Sequence, residues 1–279
     1  MRIALIADIH GNLPALEAGL KAIRAHAPDM IVSLGDQVNL GPNPREVLAL
    51  LDDAGVKCLH GNHERYILTV MAGKPGYEGA NFDSLRFNAA LLTAQQITFP
   101  ETLQIDGITL CHAMPGDDRF PVYDREKAVP LLRSMKDAVP RHIICGHGHD
   151  SAQLRMDDIL IECIGSLGCM DSGVPGVAPY AILDTGKDYA YLSRYNVAYD
   201  TRRLRPLFKS TGMADYCPVM ARIACTQMEK NIDCLVPFVT MAGKLAAERG
   251  ESVISESVWN LTQERYPWPD GKTLSEFWA

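Results

Sequence analysis

The first sixty residues alternate between short apolar runs and amphipathic stretches. Ile3-Ala4-Leu5-Ile6-Ala7 is apolar at every position and closed by polar residues, which predicts a strand buried on both faces. Leu13, Leu16, Leu20 and Ile23 then recur at helical spacing, with Asn12 placed to cap and Pro14 tolerated in the first turn. Met30–Leu34 predicts a second strand. Asn43-Pro44-Arg45-Glu46 opens a second helix, with an N-cap, proline at N1 and glutamate at N3, and Val47, Leu50, Leu51 and Ala54 form its buried stripe. Val56–His60 predicts a third strand. This order, at this pitch, is a βαβαβ unit around a parallel sheet.

Beyond residue 65 the pattern is mostly helical to about residue 100, interrupted at Gly73-Lys74-Pro75-Gly76. This segment is placed either to shape a pocket or to pack as a plain helix pair. Leu103–Ile105 and Ile108–Cys111 flank Asp106-Gly107, which predicts a tight hairpin. Residues 124–138 read as a helix, and Ile143–Cys145 as a strand. The runs Gln153–Met156, Ile159–Ile164, Tyr180–Leu183 and Tyr189–Arg194 predict a second, largely antiparallel sheet. From about Tyr199 the pattern is helical, with Met213, Met220, Met228 and Met241 as core fillers. The pattern thus predicts an α/β chain with a parallel sheet and a second sheet. The expected division is a domain of residues 1–198 and a helical extension, 199–279, packed on it.

The chain has 279 residues and a net charge of −7, without the clustered Lys and Arg that hold a nucleic-acid backbone. No apolar stretch is long enough to predict a bilayer span. The eight cysteines include no Cys-x-x-Cys pair, and Cys111, Cys145 and Cys163 lie inside apolar runs. Reduced, buried thiols and a cytoplasmic location are expected. Cleavage of a leader at the N-terminus would remove the polar cluster that follows the first strand.

Polar residues gather where these strands end. Asp8 and His10 follow the first, Asp36 the second, Asn62 and His63 the third, His112 the hairpin, and His147 and His149 the run Ile143–Cys145. In parallel sheets ligands bind outside the carboxyl ends of the strands. An extended backbone at Gly146-His147-Gly148-His149 would point both imidazoles the same way. Eight converging N and O donors are too many for one ion. Two cations about 3.5–4 Å apart suit hydrolysis at phosphorus. With no cysteine in the set, the ions are expected to be Mn, Fe, Zn, Co or Mg. Glu64 and Asp150 are either ligand-orienting groups or solvated loop charges. His26, His60 and His142 are read as structural.

The motifs Asp8-Ile9-His10, Gly35-Asp36, Gly61-Asn62-His63-Glu64, His112 and Gly146-His147-Gly148-His149 together resemble the calcineurin-like metallophosphoesterase family over residues 1 to about 195. The stretch Gly41-Pro42-Asn43-Pro44 resembles its small bacterial and archaeal branch, and the fold implied is an α/β (α+β) sandwich of two facing mixed β-sheets flanked by helices. The resemblance implies that Asp8, His10, Asp36 and His149 hold one metal and that Asp36 bridges. It implies that Asn62, His112 and His147 hold the second, and that His63 meets the leaving-group oxygen without binding metal. The implied activity is hydrolysis of a phosphate ester or anhydride P–O bond by a metal-bridged hydroxide, with Asp36 and His63 at its centre. Protein-phosphatase members carry an aspartate and an arginine where this chain has Asn39 and Leu40. An amide cannot stabilise an imidazolium as a carboxylate does, so His63 is expected to act as a hydrogen-bond donor. On the substrate side, Asn12 at a helix N-terminus, Asn39 and Arg65 are the candidates, with Arg86 and Arg119 as further arginines able to replace the clamp. The expected partner is a small, nucleotide-like phosphorylated substrate rather than nucleic acid or membrane, and a homo-oligomer is compatible. A phosphoprotein phosphatase, a general phosphodiesterase and a non-catalytic scaffold are the alternatives.

Overall fold

A computed structural model describes residues 1–118, 129, 130, 132, 140–186 and 189–279. The helix expected over 124–138 and the candidate Arg119 lie outside the described residues, apart from three helical or flanking positions.

The βαβαβ unit forms as β1 (Arg2–Ile6), α1 (Leu13–Arg24), β2 (Met30–Ser33), α2 (Pro44–Asp53) and a short β3 (Lys57–Cys58). Ile3 pairs with Met30 and Val32 with Lys57, both in parallel register. The side chain of Asn12 caps α1 by accepting from Ala15 N–H, whereas Asn43 makes no side-chain cap on α2. The burial of β1 after its exposed first residue, Arg2, has a period-two explanation. Ile3, Leu5 and Ala7 join the core between the sheets, while Ala4 and Ile6 pack on Leu16, Leu20 and Ile23 of α1.

The two later hairpins divide between the sheets instead of building one antiparallel sheet. β9 (Val177–Gly186) and β10 (Tyr189–Ala198) continue the first sheet, because β9 pairs antiparallel with β1, Ala4 opposite Ile182. Its order is β10-β9-β1-β2-β3. The second sheet runs β4-β5-β6-β8-β7, from Thr102–Ile105, Ile108–Cys111, His142–Cys145, Ile159–Cys163 and Ala152–Met156. Its central pairings, β5 with β6 and β6 with β8, are parallel. The β4–β5 turn has Asp106 and Gly107 at φ 48° and 79°, the two left-handed positions such a tight turn requires.

After β3 come α3 (Asn62–Met71) and α4 (Asp83–Leu91), separated by the expected break. The C-terminal helices are α5 (Leu204–Ser210), α6 (Met213–Tyr216), α7 (Pro218–Lys230), α8 (Leu235–Glu248), α9 (Glu256–Arg265) and α10 (Leu274–Trp278). They share a core that includes Met213, Met220, Met228, Phe238, Trp259 and Phe277, and Leu40, Ala80, Phe87 and Cys169 are buried in it as well. No helix among the described residues is long and apolar enough to cross a membrane.

Candidate metal centre

The ends of β1, β2 and β6 deliver their residues through tight turns rather than extended exits. Asp8, His10, Asp36, Asn39, Leu40, His147 and His149 all have left-handed φ, between 42° and 72°. Side chains disfavour this region, and such strain concentrates at functional sites, at about 1–3 kcal/mol per residue. The turns brace one another: Asp8, His10 and Gly11 N–H donate to the carbonyls of Gly35, Asp36 and Gln37, each at 3.0 Å. The approach is close enough to require glycine at two positions. A Cβ on Gly146 would lie 2.5 Å from Asp8 Oδ2, and one on Gly61 would overlap Asp36 Oδ1.

All eight strand-end residues meet. Three groups have donor atoms within 4.8 Å of one another: Asp8, His10 and His149; His10, Asp36 and His63; and Asp36, His112 and His147. Asp36 belongs to two of them. Its Oδ2 lies 3.3 Å from His112 Nε2, 3.8 Å from His10 Nε2 and 3.9 Å from His63 Nε2. Asn62 Oδ1 lies 2.8 Å from His112 Nε2 and 2.9 Å from His147 Nδ1. The expectation that His147 and His149 point the same way is wrong. With both in left-handed conformation the extended geometry is lost, and His147 joins the Asp36–His112 group while His149 joins Asp8 and His10.

The far sides of the rings show what the near sides are for. His112 Nδ1 lies 3.0 Å from Leu34 O and His149 Nδ1 lies 3.0 Å from Asp171 Oδ1. Those contacts hold a proton on Nδ1, so Nε2 is the nitrogen that can turn a lone pair to a cation once its own proton is displaced. The two Nε2 atoms face into the cluster, His112 Nε2 towards Asn62 Oδ1 and His149 Nε2 towards His10 Nε2 at 3.0 Å. Ligand atoms converging within 4.8 Å of one another fit cations, and all of them are N or O.

The electrostatics agree. Asp8 is fully buried, and desolvation pushes its carboxyl up to about 6. Burial also opposes the charge of Asp36, but the His112 and His63 imidazoles hold it well below the usual carboxylate range. Against their own burial, His112 is raised to about 10 by Asp36, and His149 to about 9 by Asp171 and Asp8. Burial and His112 lower His147 to about 4. The carboxylates thus draw positive charge into a largely buried site, as protons where no cation supplies it. Burial lowers His63, which is neutral at pH 7.

The other candidates have defined places. Asn39 Nδ2 lies 2.6 Å from His63 Nδ1, and its backbone N–H is held by Asn88 Oδ1 at 3.1 Å. The phosphate contact expected of Asn12 is not available. Its side chain is fully buried, with Oδ1 capping α1 and Nδ2 donating to Gly168 O at 2.7 Å. Arg65 lines a polar cavity of about 320 Å3 beside His112, with its guanidinium paired to both oxygens of Asp118. Arg86 is not a clamp; it ties Tyr77 O, Gly79 O and Asp83 together. Leu40 points into the core of the C-terminal helices, which explains why no cation stands there. Asp150 bonds Ser172 in an exposed loop. His26 bonds Tyr180 and His142 bonds Glu162, while His60 lines the polar cavity.

Three supporting residues lie outside the motif reading or were left open by it. Glu64 receives the N–H groups of Gly61, Asp36, Gln37 and Val38 on its two oxygens, at 2.9–3.3 Å. Its place at N3 of α3, three residues after the capping Gly61, was the available signal. Asp171, which orients His149, is itself held by Gln227 Nε2 of α7 at 2.7 Å. No local pattern marks either one.

Comparison with known proteins agrees with this geometry. Among solved structures, a metallophosphoesterase from Sphaerobacter thermophilus superimposes with a TM-score of 0.62 and 23% identity, over 80% of this chain and 100% of that one. A hypothetical protein from Pyrococcus horikoshii OT3 gives 0.62 and 17%, over 83% and 99%. At these identities the likeness is one of fold. In sequence, the chain is 42% identical over 66 residues to an uncharacterised protein of Methanocaldococcus jannaschii, 24% of this chain and 27% of that one. It is 35% identical over 69 residues to serine/threonine-protein phosphatase 1 of Salmonella typhimurium, 24% of this chain and 32% of that one. The matches thus span only about a third or less of these curated relatives. The description "Calcineurin-like phosphoesterase" fits residues 1–167, which include every strand-end cluster named above, and by that match the chain belongs to the calcineurin-like phosphoesterase family.

Proposed function

We propose that the protein is a two-metal hydrolase of phosphate esters or anhydrides, acting on a small nucleotide-like substrate in a reducing, cytoplasmic setting where its eight free thiols persist. The observation that carries this reading is the position of Asp36, whose Oδ2 lies within 4 Å of imidazoles from three separate strand ends. Asp8, His10, Asp36 and His149 would hold one divalent cation, and Asp36, Asn62, His112 and His147 the other. Such a pair supplies Lewis acidity toward phosphoryl oxygens and makes water acidic enough to attack at neutral pH.

The chain's own contribution is placement and proton control. Leu34 O and Asp171 hold the rings of His112 and His149 with Nε2 turned inward. Asn39 donates to His63 Nδ1, so Nε2 of this neutral ring carries the proton and presents it to the site. His63 then donates a hydrogen bond to the leaving-group oxygen as the P–O bond breaks. The proton released by the attacking water balances that oxygen's charge. The short stretch like a serine/threonine-protein phosphatase keeps phosphopeptides as a second reading. Against it, Leu40 is buried where those enzymes carry an arginine. We also propose that residues 199–279 are an extension of the same unit, because their core encloses Leu40 and Cys169.

The test is turnover of an aryl phosphate, a nucleotide, a bis-nucleotide and a phosphopeptide, with metal content measured alongside. Asp36→Asn should abolish turnover. His63→Ala should keep both metals and lose about 10²–10⁴ in rate, the usual range for removing a proton-handling group. Full activity of Asp36→Asn with added Mn would overturn the proposal.

A further inference from the structure

A second cavity shares none of its lining with the polar one. It measures about 310 Å3, and its lining includes Asn39, His63, Tyr66, Phe82, Leu235 and Val239. Of these, His63 and its partner Asn39 join the cavity to the centre. Beyond them the walls are largely carbon. Tyr66 has its ring 5.6 Å from that of His63, so an aromatic face continues outward from the imidazole. One wall belongs to α3 and to the turn and helix around Phe82 and Leu85. The other comes from α7 and α8, through Met220, Leu235, Val236 and Val239. The second wall therefore lies outside the 167 residues that match the family. Val236 is 64% exposed although it lies on a helix whose opposite side carries the buried Phe238 and Ala242. An apolar side chain left in water beside an open apolar cavity marks a surface suited to contact with a ligand.

We infer that this cavity is the leaving-group subsite, and that the C-terminal helices make the enzyme select phosphate esters whose leaving group carries one flat aromatic ring system. The inference rests on the proposed role of His63, which sets the leaving oxygen at the cavity's inner end. Its size decides the rest. Ligand pockets run from about 300 to 1,000 Å3, so this one takes a single aromatic group rather than two. A short alkyl group would leave the walls of Tyr66, Leu235 and Val239 uncovered. A peptide backbone would bring polar groups against carbon with no partners. An aromatic ring lies flat on Tyr66 and buries its faces and edges.

The test uses the full chain loaded with Mn and compares the KM of phenyl phosphate, and of a nucleoside monophosphate, with that of methyl phosphate. A binding arm titrates phenylphosphonate and methylphosphonate by calorimetry, independent of turnover. Wild type should favour the aromatic member of each pair by about tenfold or more, the scale of one stacked ring. Val239→Trp, which fills the cavity, should bring both ratios close to one. Thr240→Trp, at an exposed lining position, repeats the test should the first variant fold poorly. Val253→Trp, exposed and away from the cavity, should keep the wild-type ratios. Equal ratios in wild type and both filling variants would overturn the subsite. Absence of turnover of every ester would overturn the hydrolase reading instead, and the phosphonate ratios would still decide the subsite. Phenyl and nucleoside substrates together separate a general aryl subsite from one for a nucleobase.

Discussion

Glu64→Gln offers a sharp test because the substitution is nearly isosteric and the expected effect is large. Glu64 is fully buried, and each of its oxygens accepts two backbone N–H groups: Gly61 and Asp36 on Oε2, Gln37 and Val38 on Oε1. Two influences oppose each other at this carboxyl. Burial and the neighbouring Asp36 charge push it up to about 8, while the N–H donors favour its ionised form. The geometry favours the charge, since a proton on either oxygen would face two donors. Glutamine places an NH2 where one oxygen stood, so two buried N–H groups lose their acceptor and meet a donor. At about 1–3 kcal/mol for each stranded group, the loss is about 4 kcal/mol. A chain of this size loses about 2–3 °C in Tm per kcal/mol, which predicts a fall of roughly 10 °C. The assay is thermal unfolding followed by circular dichroism, in chelator, so that metal binding does not contribute to either protein's stability. A Tm within about 2 °C of wild type would show the carboxyl to be neutral and refute the reasoning.

Other consequences can be measured directly. His112 and His149 are raised above the ordinary histidine value, to about 10 and about 9, so the metal-free protein keeps protons there that a cation must displace. Metal affinity should therefore rise with pH from about 6.5 to 9, with proton release visible as buffer-dependent binding heat; affinity flat in pH without proton release would contradict it. Asp171→Ala removes the partner of His149 Nδ1 and should weaken metal binding about 10–100-fold without unfolding the chain, measured by competition with a chelating dye. Leu40→Arg should not restore a phosphate clamp; it buries a charge in the C-terminal core and should destabilise by about 3 kcal/mol or more in urea unfolding.

Much of the site is written in local pattern. Apolar runs of four or five residues ending in Asp, Asn or His predict strand ends that carry ligands, and the spacing of the early ones requires parallel neighbours. Those residues do converge. The Asp-Gly hairpin and the Asn12 cap are equally local, because a turn's dihedrals and a cap's acceptor depend on residues within a few positions.

What the pattern misses is non-local. Tyr180–Leu183 and Ile159–Cys163 have similar alternation, yet one strand pairs with β1 and the other with β6, and alternation does not specify a partner. His147 and His149 separate into different groups because left-handed turns, held by loop-to-loop hydrogen bonds, replace the extended backbone that period two assumes. Asp171, Gln227 and the wall formed by Leu235 and Val239 reach the centre only when the C-terminal helices pack against the loop that holds Leu40. The amino-acid order alone thus determined the ligand types and their places at strand ends, since both follow from short-range periodicity and capping. Which ligands share a cation site, and what surrounds the leaving group, was decided by packing between segments up to two hundred residues apart.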